Sequence, residues 1–415
     1  MMAGMSSITA HRPPVPVLFL VADTGGGHRS AARAVAEALL RDNPGRFAPA
    51  LLDPLGGPGS SRALQRVVRL YGPVIRHAPW AWGAVYRVTD SRRMMRLLHR
   101  TLLRFADRPV MDAVTRMRPG VIVSCHPLTT EAAVRASRRG PRRTPVATVV
   151  TDLVSVHAAW PGDDADRVVV PSLAARQRCA RHGVDDNRCV ELGLPVSSAF
   201  LGGAPRPDER NGAWQGSGAR QRPLRVIVTG GGEGSGGIVR RVSALVRHFD
   251  DIEVVALCGR NRRARDTLAK LAARSAGRLT VHGMTPGIAD WLRGADVVAA
   301  KAGPGTIAEA ACCGTAILLT SRLPGQEDGN VELVVSAGAG RYVPRMTDLV
   351  REISRLRADP AALEAMRAAS ARLARPRAAA GAAALIAELA GTAPLDHSIR
   401  HVRQDRHENL STTIG

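Results

Sequence analysis

The sequence predicts an α/β protein built from two doubly wound domains that face each other across a cleft. The chain has 415 residues, which is long for a single core and suits two domains of about 150 to 200 residues each. Val15–Ala22 is a near-continuous apolar run followed by a glycine-rich turn and an Ala-rich helical stretch, as expected of a buried strand that opens a βαβ unit. The same opening recurs at Leu224–Thr229, so the second half begins as the first does.

The limits of the two domains follow from local composition. Residues 201–223 are rich in Gly, Pro, Arg and Asn and show no periodicity, which indicates a linker. We therefore predict a first domain over residues 15–200 and a second over residues 224–391. Residues 1–14 and 392–415 are predicted to be a disordered lead and a disordered tail.

Further strands are predicted where apolar runs alternate with helical stretches. These runs are Gly120–Ser124, Pro145–Thr151, Arg167–Pro171, Ile252–Leu257, Leu279–His282, Asp296–Ala299 and Ala316–Thr320. Strands that alternate with helices imply parallel sheets, in which ligands bind at the carboxyl ends of the strands.

The net charge of +22 comes almost entirely from arginine and raises the question of an anionic partner. No helix-turn-helix, zinc-finger or RNA-binding signature accompanies the charge, so no nucleic-acid partner is predicted. Residues 62–118 hold thirteen Arg against three Asp, with apolar residues in between. Such a segment favours peripheral contact with an anionic membrane, and a solvated basic helix face is the alternative.

Neither the cysteines nor the start of the chain indicates export. The six cysteines lack structural-zinc spacing and fit reduced thiols, and no acidic cluster has calcium-loop spacing. Val15–Ala22 has only eight residues, which is too short for a signal peptide or a spanning helix. The expected location is the cytoplasm, with possible peripheral binding at the inner face of the plasma membrane.

The loop Asp23–His28, between the first strand and the first helix, carries the first candidate for catalysis. Gly26 and Gly27 let a ligand approach the backbone closely, and the following helix start offers unpaired N–H groups. The near-neutral pKa typical of histidine suits His28 to act as a general base toward an acceptor hydroxyl. A histidine that caps a helix start is the alternative. Asp152, after a later strand, is a candidate to assist or orient the base.

Gly230–Gly237 occupies the same position in the second half. Six of its eight residues are glycine, and backbone amides gathered at a helix start can cradle a diphosphate. A flexible loop is the alternative. The predicted donor contacts here are Gly231, Gly232 and Glu233.

Two loops that follow strands of the second half complete the predicted donor site. In Lys301–Ala310, backbone amides and a hydroxyl at a helix start can bind phosphate, and Glu309 follows one turn later, where its carboxylate can accept from a ribose diol. The phosphate-binding candidates are Gly303, Pro304, Gly305 and Thr306. In Leu323–Asn330, the side chains of Gln326 and Glu327 suit sugar hydroxyls.

Together these stretches resemble the family that contains monogalactosyldiacylglycerol synthases and processive diacylglycerol glucosyltransferases. They resemble more distantly the transferase that adds N-acetylglucosamine to make lipid II. The resemblance runs from about residue 15 to 345. The matching stretches are GGGHRSAA (Gly25–Ala32), SCHPL (Ser124–Leu128), TDL (Thr151–Leu153) with His157 and Trp160, TGGGEG (Thr229–Gly234), KAGPGTIAEA (Lys301–Ala310) and LPGQEDGN (Leu323–Asn330).

The resemblance implies a GT-B fold, a UDP-sugar donor and inversion at the anomeric carbon, with no cofactor and no essential metal. His28 would be the base or acceptor-side catalytic group, Gly303–Thr306 would hold the diphosphate, and Glu309 the ribose. In the loop Leu323–Asn330, here named the sugar-side loop, Gln326, Glu327 and Asn330 would contact the sugar. The backbone near Gly283 and Met284 would contact the uracil.

The resemblance also places acceptor and membrane contacts in the segment after the first helix. In this chain that segment holds Tyr71, Trp80, Trp82 and Tyr86, which suggests an apolar acceptor channel. The predicted acceptor-binding residues are Gly26, Gly27, Tyr71, Trp82 and His126. The expected reaction transfers a hexose to a diacylglycerol-type lipid. The alternatives are a soluble small-molecule acceptor, a UDP-N-acetylglucosamine 2-epimerase on the same fold, and a non-catalytic partner that binds nucleotide or nucleic acid.

Overall fold

The structure is a computed structural model. It describes residues 13–22, 26–140, 143–161, 164–202, 223–234, 236–285 and 287–391. Most of the predicted lead and of the predicted linker, the predicted tail and Asp23–Gly25 of the first glycine-rich loop lie outside the described residues.

The first half forms one parallel sheet flanked by helices. Its strands are β1 (Val15–Leu20), β2 (Phe47–Leu52), β3 (Val121–Ser124), β4 (Val146–Val149), β5 (Arg167–Val170) and β6 (Cys189–Glu191). Its helices are α1 (Gly26–Asp42), α2 (Arg62–His77), α3 (Pro79–Thr89), α4 (Arg92–Thr101), α5 (Asp107–Met117), α6 (Thr130–Arg139) and α7 (Leu173–Arg181). The strand order is β2-β1-β3-β4-β5-β6.

The second half repeats this architecture. Its strands are β7 (Leu224–Thr229), β8 (Ile252–Leu257), β9 (Leu279–His282), β10 (Val297–Lys301), β11 (Ala316–Ser321) and β12 (Gly340–Tyr342), in the order β12-β11-β10-β7-β8-β9. Its helices are α8 (Ile238–His248), α9 (Arg262–Ala272), α10 (Ile288–Arg293), α11 (Pro304–Cys312), α12 (Asp328–Ser336), α13 (Met346–Ala358) and α14 (Pro360–Leu373). The two parallel sheets confirm the predicted doubly wound fold class.

Both faces of each sheet are buried, which explains why the strands read as continuous apolar runs. In β1, Val17 and Phe19 point to one face and Leu18 and Leu20 to the other, and all four are at most 1% exposed. Among the described helices, none combines the length and the apolar character needed to cross a membrane.

The last helix, α15 (Ala378–Leu389), falls inside the predicted second domain, residues 224–391, but covers the sheet of the first half. It packs on α1 and β3, and its buried Ala382 and Ile386 share a core cluster with Phe19. Alanine-rich helical periodicity shows that a helix forms there. It carries no signal for which of two sheets the helix covers.

Candidate active site

The polar residues of the first half meet at the carboxyl ends of three neighbouring strands. β1, β3 and β4 are adjacent and parallel. The chain segments that follow them carry His28, Cys125 with His126, and Thr151 with Asp152. Parallel pairing therefore brings residues more than a hundred positions apart in the chain to one edge of the sheet.

His28 is held in one orientation by its backbone and hydroxyl neighbours. Its Nδ1 atom lies 3.1 Å from the carbonyl oxygen of Cys125 and 2.9 Å from Oγ1 of Thr151. Because a carbonyl oxygen only accepts, Nδ1 carries the hydrogen and Nε2 keeps its lone pair. Burial lowers the pKa of His28 to about 4, against a smaller opposing effect of the Cys125 carbonyl, so the ring is neutral at pH 7.

His126, predicted to bind the acceptor, packs against His28. The two rings are 4.5 Å apart in an edge-on arrangement, and His126 is 3% exposed. Its Nδ1 accepts a hydrogen bond from the backbone N–H of Leu128 at 3.2 Å. Burial first, and His28 second, hold the pKa of His126 well below its usual range. In this structure the His126 side chain packs against His28, and its direct contact with an acceptor stays a prediction.

Asp152 lies on the same edge but contacts a different set of groups. Its Oδ2 accepts a hydrogen bond from Nε1 of Trp160 at 2.6 Å, and the Trp160 ring lies 5.8 Å from the His28 ring. Burial raises the pKa of Asp152 to about 6, and hydrogen bonds from Trp160 and Gln326 oppose that rise. Asp152 hydrogen-bonds Trp160, and the Trp160 ring lies beside His28. Any influence of Asp152 on His28 in this structure therefore passes through that ring.

The two glycine-rich loops approach each other across the cleft. The backbone nitrogen of Gly26 lies 3.8 Å from the position that a Cβ would take on Gly232. Gly234 has φ +58°, and a Cβ there would overlap the carbonyl oxygen of Cys258, so this turn requires glycine. Glu233, a predicted donor contact, pairs with Arg260 at 2.6 Å.

The start of α11 has the geometry of an anion site. Gly303 caps the helix, Pro304 is its first residue, and the first-turn amides have no acceptor within the helix. The Glu309 carboxylate turns back toward this end, with Oε1 4.0 Å from the position of a Cβ on Gly305. Burial raises the pKa of Glu309 to about 7, and the described part of the chain offers its carboxylate no hydrogen-bond or ion-pair partner. The groups predicted to bind phosphate and the ribose diol thus lie side by side.

The sugar-side loop is largely engaged with the protein itself. Glu327 is 2% exposed; it pairs with Lys301 through Oε1 and accepts from the backbone N–H of Leu323 through Oε2 at 2.8 Å. Asn330 is 1% exposed and donates to the carbonyl of Ala302 at 2.9 Å. These two side chains support the turns around the α11 start, and their contact with a sugar stays a prediction.

The predicted acceptor aromatics lie beside that loop. The rings of Tyr71 and Trp82 meet edge-on at 4.9 Å, and Trp82 Nε1 donates to Gln326 Oε1 at 3.1 Å. Burial raises the pKa of Tyr71, and the carboxylates of Glu327 and Asp152 add to the rise. The aromatic pair therefore stands where the two halves meet.

Met284 follows β9 at the far end of the second sheet and is 63% exposed. The neighbouring Gly283 approaches the carbonyl of Gly259, which its built Cβ would reach at 3.7 Å. The contact of this backbone with the uracil base stays a prediction.

Three residues of the site had no role in the sequence prediction: Thr151, Arg260 and Lys301. Thr151 lies two residues after β4, Arg260 lies three residues after β8, and Lys301 ends β10. The rule that ligands bind at carboxyl ends of parallel strands is the signal that could have found them. Among the described residues, no group of three or more His, Cys, Asp or Glu is arranged to hold a metal ion.

Two family models cover most of the chain. The model described as monogalactosyldiacylglycerol (MGDG) synthase matches residues 28–196, and the glycosyltransferase family 28 C-terminal domain matches residues 225–382. A probable MGDG synthase of Nicotiana tabacum is 30% identical over 380 residues, which cover 88% of this chain and 69% of that protein. The chain belongs to the monogalactosyldiacylglycerol synthase family. MGDG synthase 1 of Arabidopsis thaliana is 29% identical over 387 residues, 90% of this chain and 70% of that protein.

Membership of the MGDG synthase family confirms the resemblance seen in the motifs and makes the chain a glycosyltransferase. Acinetobacter baumannii MurG, at 17% identity and a TM-score of 0.57, covers 90% of this chain and 100% of its own. A putative UDP-N-acetylglucosamine 2-epimerase of Listeria monocytogenes has 15% identity and a TM-score of 0.55, over 90% and 96%. Likeness at such identities shows the fold alone. It confirms GT-B and does not separate transferases from epimerases.

Proposed function

We propose that the chain transfers a hexose, galactose being the first candidate, from a UDP-sugar to the free hydroxyl of diacylglycerol with inversion at the anomeric carbon. The relatives named as MGDG synthases support this donor and acceptor. The observation that carries the proposal is Glu309, a partly buried carboxylate with no partner in the described chain, beside the free first-turn amides of α11. Such a pair matches a nucleoside diphosphate, whose ribose donates hydrogen bonds and whose phosphates accept them.

In the proposed reaction the acceptor oxygen forms a bond to C1 of the hexose while the bond from C1 to the diphosphate oxygen breaks. The hydroxyl proton passes to Nε2 of His28, whose lone pair is free because Nδ1 donates to Cys125. The electron pair leaves with UDP. Amides at the α11 start and the nearby ammonium of Lys301 stabilise the charge that develops there. No metal or other cofactor takes part in the proposed reaction.

The test of this function is product analysis by mass spectrometry and NMR. We expect a hexosyl-diacylglycerol with the anomeric configuration opposite to that of the donor when UDP-galactose and vesicles containing diacylglycerol are supplied. UDP-glucose, UDP-N-acetylglucosamine and small soluble alcohols form the comparison panel. Epimerised UDP-N-acetylglucosamine without any transfer would assign the site to an isomerase, and glycosylation of the soluble alcohols alone would remove the lipid acceptor.

The surface of α2, α3 and α4 supports peripheral binding to an anionic membrane at the inner face of the plasma membrane as part of the proposal. Large apolar side chains are exposed there among the arginines of residues 62–118, and Trp80 is 74% exposed. A basic surface with protruding apolar groups gains from both anionic headgroups and the acyl boundary. We name this surface the α2–α4 patch; its exposed apolar residues are Val67, Leu70, Trp80, Val85, Val88 and Leu97.

Vesicle sedimentation tests the patch. Trp80→Ser should weaken partitioning onto vesicles with anionic lipid about tenfold, because the exposed indole no longer enters the interface. The matched control is Leu173→Ser, since Leu173 is 58% exposed on α7, outside the patch. Equal losses for both variants, or none for Trp80→Ser, would show that the patch does not meet the membrane.

A further inference from the structure

The sugar-side loop belongs to the second half but is enclosed by the first. A Cβ on Gly83 of α3 would lie 2.8 Å from Cβ of Pro324, and one on Gly325 would lie 3.0 Å from Cδ1 of Tyr86. At the other end of the loop, a Cβ on Gly329 would lie 2.5 Å from Cγ1 of Val154. Because these positions are glycines, their backbone can lie directly against side chains of the other half. The loop is therefore shaped by α3 and by the segment after β4.

Within this contact, Trp82 fixes one end of the Gln326 side chain. Its indole Nε1–H donates to Gln326 Oε1 at 3.1 Å. An indole N–H can only donate, so the oxygen end of the amide must face Trp82. The Tyr71 ring packs edge-on against Trp82, with 4.9 Å between the ring centres.

Asp152 restrains the opposite end. Trp160 Nε1 donates to Oδ2 of this buried carboxylate at 2.6 Å, and the Gln326 side chain is close enough to oppose the rise in the pKa of Asp152. An ionised carboxylate only accepts, so it attracts the NH2 end of the amide. Trp82 and Asp152 thus select the same orientation of Gln326.

That orientation has a chemical consequence for a sugar. The two ends of a glutamine amide have nearly the same shape but opposite hydrogen-bonding character. With its orientation fixed, Gln326 keeps one lone pair on Oε1 and one N–H for a ligand. Two hexoses that are epimers at one carbon direct the hydroxyl on that carbon differently. An amide with a fixed orientation can therefore distinguish them, whereas an amide that is free to rotate by 180° can hydrogen-bond both.

We propose that Trp82 is a positioning residue that fixes the Gln326 amide from the opposite half, so that discrimination between epimeric hexoses depends on closure of the two halves. The inference rests on the proposed function, because it assigns Gln326 to the sugar of the UDP-sugar donor. In this proposal Trp82 does not contact the reacting atoms directly.

The test compares Trp82→Phe, Gln326→Ala and the double variant. Phenylalanine keeps an aromatic ring and removes only the N–H donor. For Trp82→Phe we expect an unchanged Kd for UDP, which has no hexose, and a five- to tenfold fall in the ratio of kcat/KM for the preferred UDP-hexose over its epimer. The double variant should discriminate no worse than Gln326→Ala, because Trp82 acts through the amide.

The outcomes separate the two proposals. A wild-type enzyme that transfers hexose, combined with an unchanged ratio in Trp82→Phe or additive losses in the double variant, overturns the positioning role alone. Absence of transfer and of UDP binding in calorimetry overturns the proposed function, and the positioning role with it. Thermal unfolding of each variant identifies a loss of discrimination that is caused by misfolding. If Trp82→Phe does not fold, Gln326→Glu supplies a second test, because both oxygens of its carboxylate accept hydrogen bonds.

Discussion

His28 and Glu309 approach the cleft from opposite halves, but their surroundings differ. Nδ1 of His28 has two partners within 3.1 Å, and its ring packs against His126. The Glu309 carboxylate has no partner within the described chain. His28 is thus held in place by the protein itself, whereas the α11 start leaves the Glu309 carboxylate for a ligand to satisfy. Changes in the first half should therefore affect turnover, and changes at α11 should affect affinity.

His28→Ala is expected to have the largest effect. Removing the base should lower kcat about 10²- to 10⁴-fold. The Kd of UDP should stay within about twofold, because the contacts of the α11 start are intact. Single-turnover assays with diacylglycerol vesicles, paired with UDP calorimetry, measure both. A variant with full turnover would remove His28 as the base and erase the contrast between the halves.

Glu309→Ala should show the opposite pattern. Loss of a charged hydrogen-bond acceptor for the ribose should raise the Kd of UDP about 10- to 100-fold. At saturating donor, kcat should fall far less. Glu327→Ala is not a substitute, since Glu327 is already paired with Lys301. Unchanged UDP affinity in Glu309→Ala would contradict the ribose assignment.

The raised pKa of Glu309 predicts a smaller effect that depends on pH. Ribose hydroxyls donate to the ionised carboxylate, so binding lowers a pKa that burial holds at about 7 in the free protein. Affinity should therefore be highest above pH 7 and fall about tenfold between pH 8 and pH 6, with proton release on binding. Calorimetry in buffers of different ionisation enthalpy counts those protons. Glu309→Gln is the reference, and the same pH dependence in that variant would assign it to another group.

Every strand inside the two described sheets was predicted from the sequence, whereas of their four edge strands only β9 was. The limits of β7 and β8 are those predicted, because both lie inside the sheet and read as uninterrupted apolar runs. The three strands that the sequence did not predict, β2, β6 and β12, all lie at sheet edges. Edge strands bury less surface, and β2 even accommodates Pro49, which an interior strand excludes.

The contacts within the site also differ in how far they could be predicted from the sequence. The relative positions of residues within one segment, such as Gly303 and Glu309, could be predicted because a helix start and its first turns have fixed geometry. The contact between Trp82 and Gln326 joins residues 244 positions apart and depends on how the two halves meet. Local spacing carries no information about such a contact. Sequence therefore predicts what each loop can bind more readily than which loops act together.

The path of α15 has a consequence for how the protein is made. This C-terminal helix completes the first core, where Ala382 and Ile386 are buried with Phe19 of β1. Domains usually fold in order of synthesis as they leave the ribosome. Here the part of one sheet face that α15 covers, beside α1, stays open until the second half has been translated. Its folding is complete only when nearly the last described residues have emerged.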